Sequence, residues 1–267
     1  MLPFEFLSSS LNPRPDTFGH PVGQALPDWQ GCHRLPDAAM TGRTCTLLPY
    51  DRSLADGLFD AFSKDDGGMW TYLPYGPFGS AGELADSIEI YQRHRDFQTF
   101  VIMKDERPLG FASYMRYDCA NGSVEVGGVT FSPALRRSVV ATEAMALMMK
   151  TAFDHGYRRY EWKCDQLNRP SNLAALRLGF QFEGVFRNAV VSKGRRRDTA
   201  WYSIIAEDWP DVRARLDNWL APSNFDDNGL QRQRLSAIPL PAARGRRSNS
   251  RARHHPAVQA VRPAELD

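Results

Sequence analysis

Apolar positions repeat with two spacings along this chain, and each change of spacing marks the end of one element and the start of the next. RTCTLLPY (43–50) has the short period of a strand, and LADGLFDAFSK (54–64) has the longer period of a helix. MWTYLPYGPFG (69–79) has neither; it is an aromatic loop punctuated by Pro and Gly, followed by the amphipathic helix GELADSIEIYQRHR (82–95). FQTFVIMK (97–104) and LGFASYMRY (109–117), parted by a turn at Asp105–Pro108, read as a hairpin. SVEVGGVTF (123–131) is a strand that runs into Ser132-Pro133. A long helix starting near Arg137 covers VATEAMALMMKTAFDHG (140–156) and stops on Gly156. Then come the strand RRYEWKC (158–164), the helix SNLAALRLG (171–179), a hairpin over 182–205 turning at Lys193-Gly194, and a last amphipathic helix over 207–220. This order predicts an α+β fold: a mixed, mostly antiparallel sheet flanked by helices, with a central parallel pair formed by 123–131 and 159–164.

The pattern fades at both ends. Residues 1–35 are rich in Pro, Ser and polar side chains and read as an extended N-terminal arm from which Trp29 can dock on the domain spanning 36–220. A C-terminal extension follows over 221–267; it is Arg-rich and, from about 243, too poor in large apolar residues to fold by itself. Its positive charge could touch RNA weakly, but a solvated tail accounts for it as well. The whole chain of 267 residues carries a net charge of only +2, which argues against a dedicated nucleic-acid binder. Hydrophobic residues make up 42% and charged ones 24%, an ordinary globular balance. No stretch reaches the roughly eighteen apolar residues of a membrane helix, so no membrane partner is expected. MLPFEFLSSSLNPRPD lacks the basic and long apolar segments of a secretory signal. Cys32, Cys45, Cys119 and Cys164 lie far apart with no Cys-x-x-Cys pair, as suits reduced thiols in a cytoplasm, and no metal is expected.

Candidate chemistry gathers where the two central strands give way to helices. CDQLNRPSNLAALRLGF (164–180) places Asn168, Ser171 and Asn172 at a strand-to-helix junction, a position whose amides favour a polar or anionic ligand. The same residues suit plain capping, with Ser171 or Asn172 as N-cap and Gly179 as C-cap. Gly127-Gly128 marks either a bulge or a place where a ligand must approach the backbone. SPALRRSVVATEA puts Arg136 and Arg137 beside the first free amides of the long helix, a combination suited to a pyrophosphate. No G-x-S-x-G elbow and no G-x-G-x-x-G fingerprint is present, which disfavours a nucleophilic hydrolase and a dinucleotide enzyme.

VEVGGVTFSP, RRSVVATEAMALMMKTAF and YRRYEWKCDQLNRPSNLAALRLGFQFEGVFR occur in an order that resembles the GNAT-family N-acetyltransferases, in particular the RimJ/RimL-type (ribosomal-protein N-acetyltransferase-like) branch, over roughly residues 36–220. The resemblance implies that the parallel pair is splayed and that acetyl coenzyme A is the co-substrate. The family's Arg/Gln-x-x-Gly-x-Gly/Ala signature falls on Arg136, Arg137, Ser138, Val139, Val140 and Ala141, with Thr142 next. Val139 stands where the family has glycine, which would narrow the phosphate approach and disfavour a positive φ there. The amides of Val129–Phe131 would face the thioester and pantetheine, with Asn168, Ser171 and Asn172 further along the coenzyme.

For acetyl transfer, an amine must lose a proton, an oxyanion must be stabilised and a thiolate must be protonated as it leaves. The resemblance makes Glu125 the candidate base and Ser171 the candidate acid. An ion pair of Glu125 with Lys163 or Arg159 is an equally good reading of the former. Trp70, Tyr72 and Tyr75, with Phe78, would overhang the acceptor groove, or else pack on the first two helices. The acceptor implied is a small-molecule amine or a peptide N-terminus, the aromatic and EWKCD segments leaning towards the former by analogy. A non-catalytic acyl coenzyme A-binding or regulatory module is the alternative, and a homodimer is left open.

Overall fold

A computed structural model describes residues 14–240. The first thirteen residues of the expected arm and the tail from 243 lie outside the described residues.

Ten strands and five α-helices follow one another: β1 (Arg14–Pro15), β2 (Pro21–Val22), β3 (Met40–Thr41), β4 (Thr46–Pro49), α1 (Ala55–Phe62), α2 (Ala81–Arg95), β5 (Gln98–Lys104), β6 (Arg107–Asp118), β7 (Ser123–Phe131), α3 (Val139–Asp154), β8 (Arg159–Asp165), α4 (Arg169–Leu178), β9 (Gln181–Ser192), β10 (Arg195–Ile205) and α5 (Trp209–Leu220). Eight strands form one sheet in the order β3-β4-β5-β6-β7-β8-β10-β9. Every pairing in it is antiparallel except β7 with β8. The mixed sheet and its single parallel crossover are those the sequence pattern predicts.

Local chemistry sets the helix limits. Ser80 Oγ accepts from the Glu83 amide at 3.2 Å while Glu83 Oε2 accepts from the Gly79 amide at 2.8 Å, so each end of the first turn of α2 caps the other. Ser138 Oγ accepts from the Ala141 amide at 3.1 Å and starts α3. α4 begins earlier than expected. Its N-cap is Asn168, whose Oδ1 accepts from the Ser171 amide, and Pro170 pre-sets the backbone of the first turn. Ser171 and Asn172 are therefore inside the helix, while Gly179, at φ 105°, closes it as expected.

The sheet is covered on both faces. One face packs against α3, α4 and α5 in a large core around Tyr114, Tyr160, Met148 and Leu216. The other packs Val101, Met103 and Phe111 against Leu58 and Phe62 of α1, Leu84 and Ile88 of α2, and Trp70 of the aromatic loop. The arm docks through Trp29, whose Nε1 donates to the Ala120 carbonyl at 2.8 Å. A side chain at Gly122 would collide with that indole at 2.6 Å, which is why the β6–β7 turn needs glycine. Past α5 the chain returns to the core: Leu235 is fully buried and its carbonyl accepts from the Arg215 guanidinium.

Candidate active site

The central strands part. β7 and β8 pair from Ser123↔Arg159 to Val126↔Trp162 and no further, although β7 runs on to Phe131 and β8 to Asp165. Beyond Val126 the edge of β7 that faces β8 has no strand partner among the described residues. The divergence coincides with a bulge: Ser113 of β6 pairs with Gly127, but Phe111 pairs with Thr130. Gly128 sits at φ 59° within this bulge, and a side chain at Gly127 would press on Met115 Sδ at 2.3 Å. The bulge reading of the glycine pair holds here, and it falls where the two central strands diverge.

The N-terminus of α3 follows this strand. The amides of Arg137, Val139 and Val140 have no hydrogen-bond partner among the described residues, whereas those of Ala141 and Thr142 bond to Ser138. Three free amides at the positive end of a sixteen-residue helix fit a pyrophosphate. The strain anticipated at Val139 does not arise. Val139 is the first residue of α3, and the positive φ falls on Arg137, at 56°. The two arginines also differ. Arg136 is held by Asp65, at 2.8 Å, and by the Phe131 carbonyl, at 3.2 Å, so it fixes the loop rather than standing free. Burial alone would raise the Asp65 carboxyl, but the Met69 amide and Arg136 outweigh it and hold it below the usual carboxylate range. Arg137 is exposed and makes no ion pair among the described residues. Thr142 Oγ1 points inward and accepts from Arg177 at 2.7 Å.

Glu125 lies on β7 just before the split, on the face shared with Met115, Ser113 and helices α1 and α2. It is 5% exposed. Lys163 Nζ stands 2.9 Å from its Oε2, and Arg116 Nε 3.3 Å. Oε2 is otherwise unpartnered, so these are ionic contacts rather than well-directed hydrogen bonds. Burial pushes the carboxyl up, and Lys163 and then Arg116 offset only part of that push. The expected ion pair with Lys163 is thus present, while Arg159 turns instead to Glu161 and Glu183. Pairing does not preclude proton chemistry, because the carboxyl is raised towards the range a base needs.

Lys163 also contacts Glu161 at 2.8 Å and lies 3.6 Å above the Trp201 ring. Nearby on β10, Trp201 Nε1 and Thr199 Oγ1 are buried with no hydrogen-bond partner among the described residues, as donors awaiting a ligand or water would be. The sequence gives no periodic clue to these residues; only the β8–β10 register brings them beside Glu125.

Across the split, Ser171 Oγ accepts from Trp162 Nε1 at 3.1 Å, which leaves its own proton free to donate. Asn168 is consumed as the helix cap, and Asn172 is consumed by structure as well. Its Nδ2 donates to the carbonyls of Asp165, Gln166 and Asn168, and its Oδ1 accepts from Tyr202 at 2.5 Å. Cys164, adjoining Asn172, has its thiol pushed up to about 11, mainly by burial. It is no ready nucleophile. The four cysteines are all free thiols.

The aromatic loop divides by role. Trp70 is buried edge-on against Phe62, 5.6 Å between ring centres, and against Phe78 at 5.2 Å. This is the packing alternative. Tyr72 is half-buried and forms no ring pair among the described residues. Tyr75 reaches the split: its hydroxyl lies 2.8 Å from Thr130 Oγ1 and donates to the Gly128 carbonyl at 3.3 Å. Of the expected groups, then, the fold brings Glu125, Val129, Phe131, Tyr75, Ser171 and the start of α3 around one opening. Val129 and Phe131 lie on the unpaired stretch of β7. No cluster of potential metal ligands occurs among the described residues.

Residues 45–181 match the family described as an acetyltransferase (GNAT) domain. A GCN5-related N-acetyltransferase from Brucella melitensis superposes with a TM-score of 0.77 at 37% identity, covering 80% of this chain and 99% of that one. A GNAT-family protein from Chromobacterium violaceum gives 0.68 at 41% identity, covering 72% of this chain and 98% of that one. The ribosomal-protein-serine acetyltransferase of Escherichia coli (strain K12) is 28% identical over 108 residues, 40% of this chain and 60% of that relative. The chain therefore spans less than two thirds of that curated relative. Among the described residues, no helix is long and apolar enough to cross a membrane.

Proposed function

The chain belongs to the GNAT acetyltransferase family, and from that premise we propose that it moves an acetyl group from acetyl coenzyme A to a primary amine in one ternary complex. The observation that carries this reading is the split itself: β7 and β8 stop pairing at Val126↔Trp162, directly ahead of three free amides at the start of α3. Acetyl coenzyme A supplies a thioester carbonyl and a thiolate leaving group. The amides of Arg137, Val139 and Val140 hold its pyrophosphate, and the unpaired edge of β7 at Val129 donates to the carbonyl oxygen as charge develops there. Glu125, directly or through one water, takes the proton that the amine nitrogen sheds on bonding to the carbonyl carbon. As the carbon–sulfur bond breaks, Ser171 passes its hydroxyl proton to the sulfur and regains one from water, while Glu125 releases to solvent the proton it took, leaving an amide and a free thiol.

The high thiol of Cys164 supports direct transfer over an acetyl-cysteine route. Val139, the residue that departs from the family signature, begins a helix and needs no positive φ, which favours coenzyme binding there over the non-catalytic alternative. For the acceptor, Tyr75 and the unpartnered Trp201 and Thr199 atoms favour a compact, partly polar amine. The E. coli relative, a ribosomal-protein-serine acetyltransferase, adds a protein amine as a second candidate. Free thiols throughout support a cytoplasmic setting.

The test is a thiol-release screen with acetyl coenzyme A against amino acids, aminoacyl nucleotides, aminoglycosides and peptide N-termini. Turnover with at least one class is expected; coenzyme binding with no acceptor-dependent thiol release from any class would contradict the reading.

A further inference from the structure

Lys193 occupies the tip of the β9–β10 hairpin, at φ 48°, in the Lys193-Gly194 turn. Among the described residues its ammonium has no carboxylate partner. It donates instead to three carbonyls of the aromatic loop: Trp70 at 2.8 Å, Gly76 at 2.9 Å and Tyr75 at 3.1 Å. An ammonium has three N–H donors, and all three are used. The carbonyls converge because the loop folds back at Gly76, at φ 66°, where a side chain would strike the Trp70 ring at 2.4 Å.

The other side of this loop is fastened to β7. Tyr75 bonds Thr130 and the Gly128 carbonyl on the diverging strand. The hairpin that carries Lys193 is joined to β8 through β10, from Ile205↔Arg159 up to Thr199↔Asp165. The split is therefore ringed: β7, Tyr75, the aromatic loop, Lys193, the β9–β10 hairpin and β8 form a closed circuit. At its base the circuit is sealed by the last β7–β8 pair, Val126↔Trp162. Glu125 and Trp201 lie on the side of the sheet that this circuit frames.

We propose that Lys193 is a specificity-determining, positioning residue: by latching the aromatic loop to the hairpin it fixes the width of the acceptor entrance and admits slender amines ahead of bulky ones. The inference rests on the acetyltransferase reading above. Lys193 touches neither coenzyme nor the reacting atoms; it acts through the loop. Loss of the latch leaves the donors at α3 and the unpaired edge of β7 intact, so coenzyme affinity is unaffected. A widened entrance changes the ranking of acceptors.

The experiment compares wild type, Lys193→Met and Lys193→Arg. Thiol release with acetyl coenzyme A is measured against a compact probe (serine amide) and a bulky one (an octapeptide with N-terminal serine), alongside calorimetry with coenzyme A. The expected result for Lys193→Met is a change of at least tenfold in the ratio of the two kcat/KM values, through acceptor KM. Coenzyme Kd stays within twofold of wild type, and backbone hydrogen exchange over 70–76 is faster. Lys193→Arg, which keeps a cationic donor set, returns the ratio most of the way. A folded Lys193→Met protein with the wild-type ratio overturns the proposal while leaving acetyl transfer intact. If Lys193→Met does not fold, Lys193→Ala takes its place, and a wild-type ratio together with unchanged exchange over 70–76 in that variant overturns the proposal equally. Wild type that releases no thiol with either probe or with any class in the wider screen overturns the acetyltransferase reading, and this inference with it.

Discussion

Replacing Glu125 by glutamine removes one negative charge and little else. The amide keeps the shape of the carboxylate but cannot accept the amine's proton, and a positioned base of this kind contributes about 10²- to 10⁴-fold to rate. At about 1.4 kcal/mol per tenfold, the barrier rises by about 3–5 kcal/mol. Stability responds differently. Removing one partner of a buried ion pair costs about 3–5 kcal/mol when the other charge is stranded. Lys163 is not stranded, because it keeps Glu161 at 2.8 Å and the Trp201 ring at 3.6 Å. No large loss of stability at neutral pH is therefore expected. The pH dependence has a definite sign. Burial raises the carboxyl of Glu125 in the folded protein, so the folded state holds its proton to higher pH than the unfolded chain does. The contribution of this group is full below the unfolded value and is lost as pH rises through the folded one. Wild type thus loses ground relative to Glu125→Gln across that interval. Steady-state thiol release, calorimetry with coenzyme A and chemical denaturation at several pH values measure all three. Turnover falls at least a hundredfold by this reasoning, with coenzyme affinity unchanged. A variant with kcat within twofold of wild type would refute the role and leave Glu125 as half of an ion pair.

Three further outcomes follow from the geometry. Ser171→Ala should slow transfer by about 10²-fold and, by depriving Trp162 Nε1 of its acceptor, cost about 1 kcal/mol in denaturation; wild-type kcat would leave Ser171 as an acceptor for Trp162 only. Gly127→Ala puts a methyl group 2.3 Å from Met115 Sδ and 3.4 Å from Glu125 Oε1, which should lower stability by about 1–3 kcal/mol and depress kcat as well; a neutral Tm would mean the bulge yields freely. Cys164, with its thiol at about 11, is roughly one part in a thousand thiolate at pH 8, so iodoacetamide followed by peptide mass spectrometry should leave it unlabelled in the folded protein. Labelling at the rate of a free thiol would reopen an acetyl-cysteine route.

The fold was legible because each element carries its own period and punctuation. The β5–β6 hairpin, the stop of α3 near Gly156 and the αL glycine after α4 all rest on local chemistry that a linear reading captures. Gly127-Gly128 was legible as a bulge, and is one. Capping of α4 was displaced because Asn168, three residues ahead of Ser171, caps a helix that already begins at Arg169 with Pro170 in its first turn. The strain assigned to Val139 moved to Arg137 because helix α3 begins one residue after Ser138 caps it. What sequence could not convey are contacts made across long separations between residues with no shared period. Asp65 restraining Arg136, Lys193 reaching the loop at 70–76, and Lys163 stacking on Trp201 are of this kind. Glu143, conspicuous within A-T-E-A, is likewise explained only in three dimensions, where it accepts from the amides of Arg43 and Thr44.

Titrating coenzyme A into isotopically labelled protein and following the backbone amide resonances tests the parted strands most directly. Saturable shifts should concentrate at Gly127–Phe131 on β7 and at Arg137–Ala141 at the head of α3, with β4 and β5 unmoved. Shifts absent from both segments at millimolar coenzyme, or confined to another face, would contradict the account.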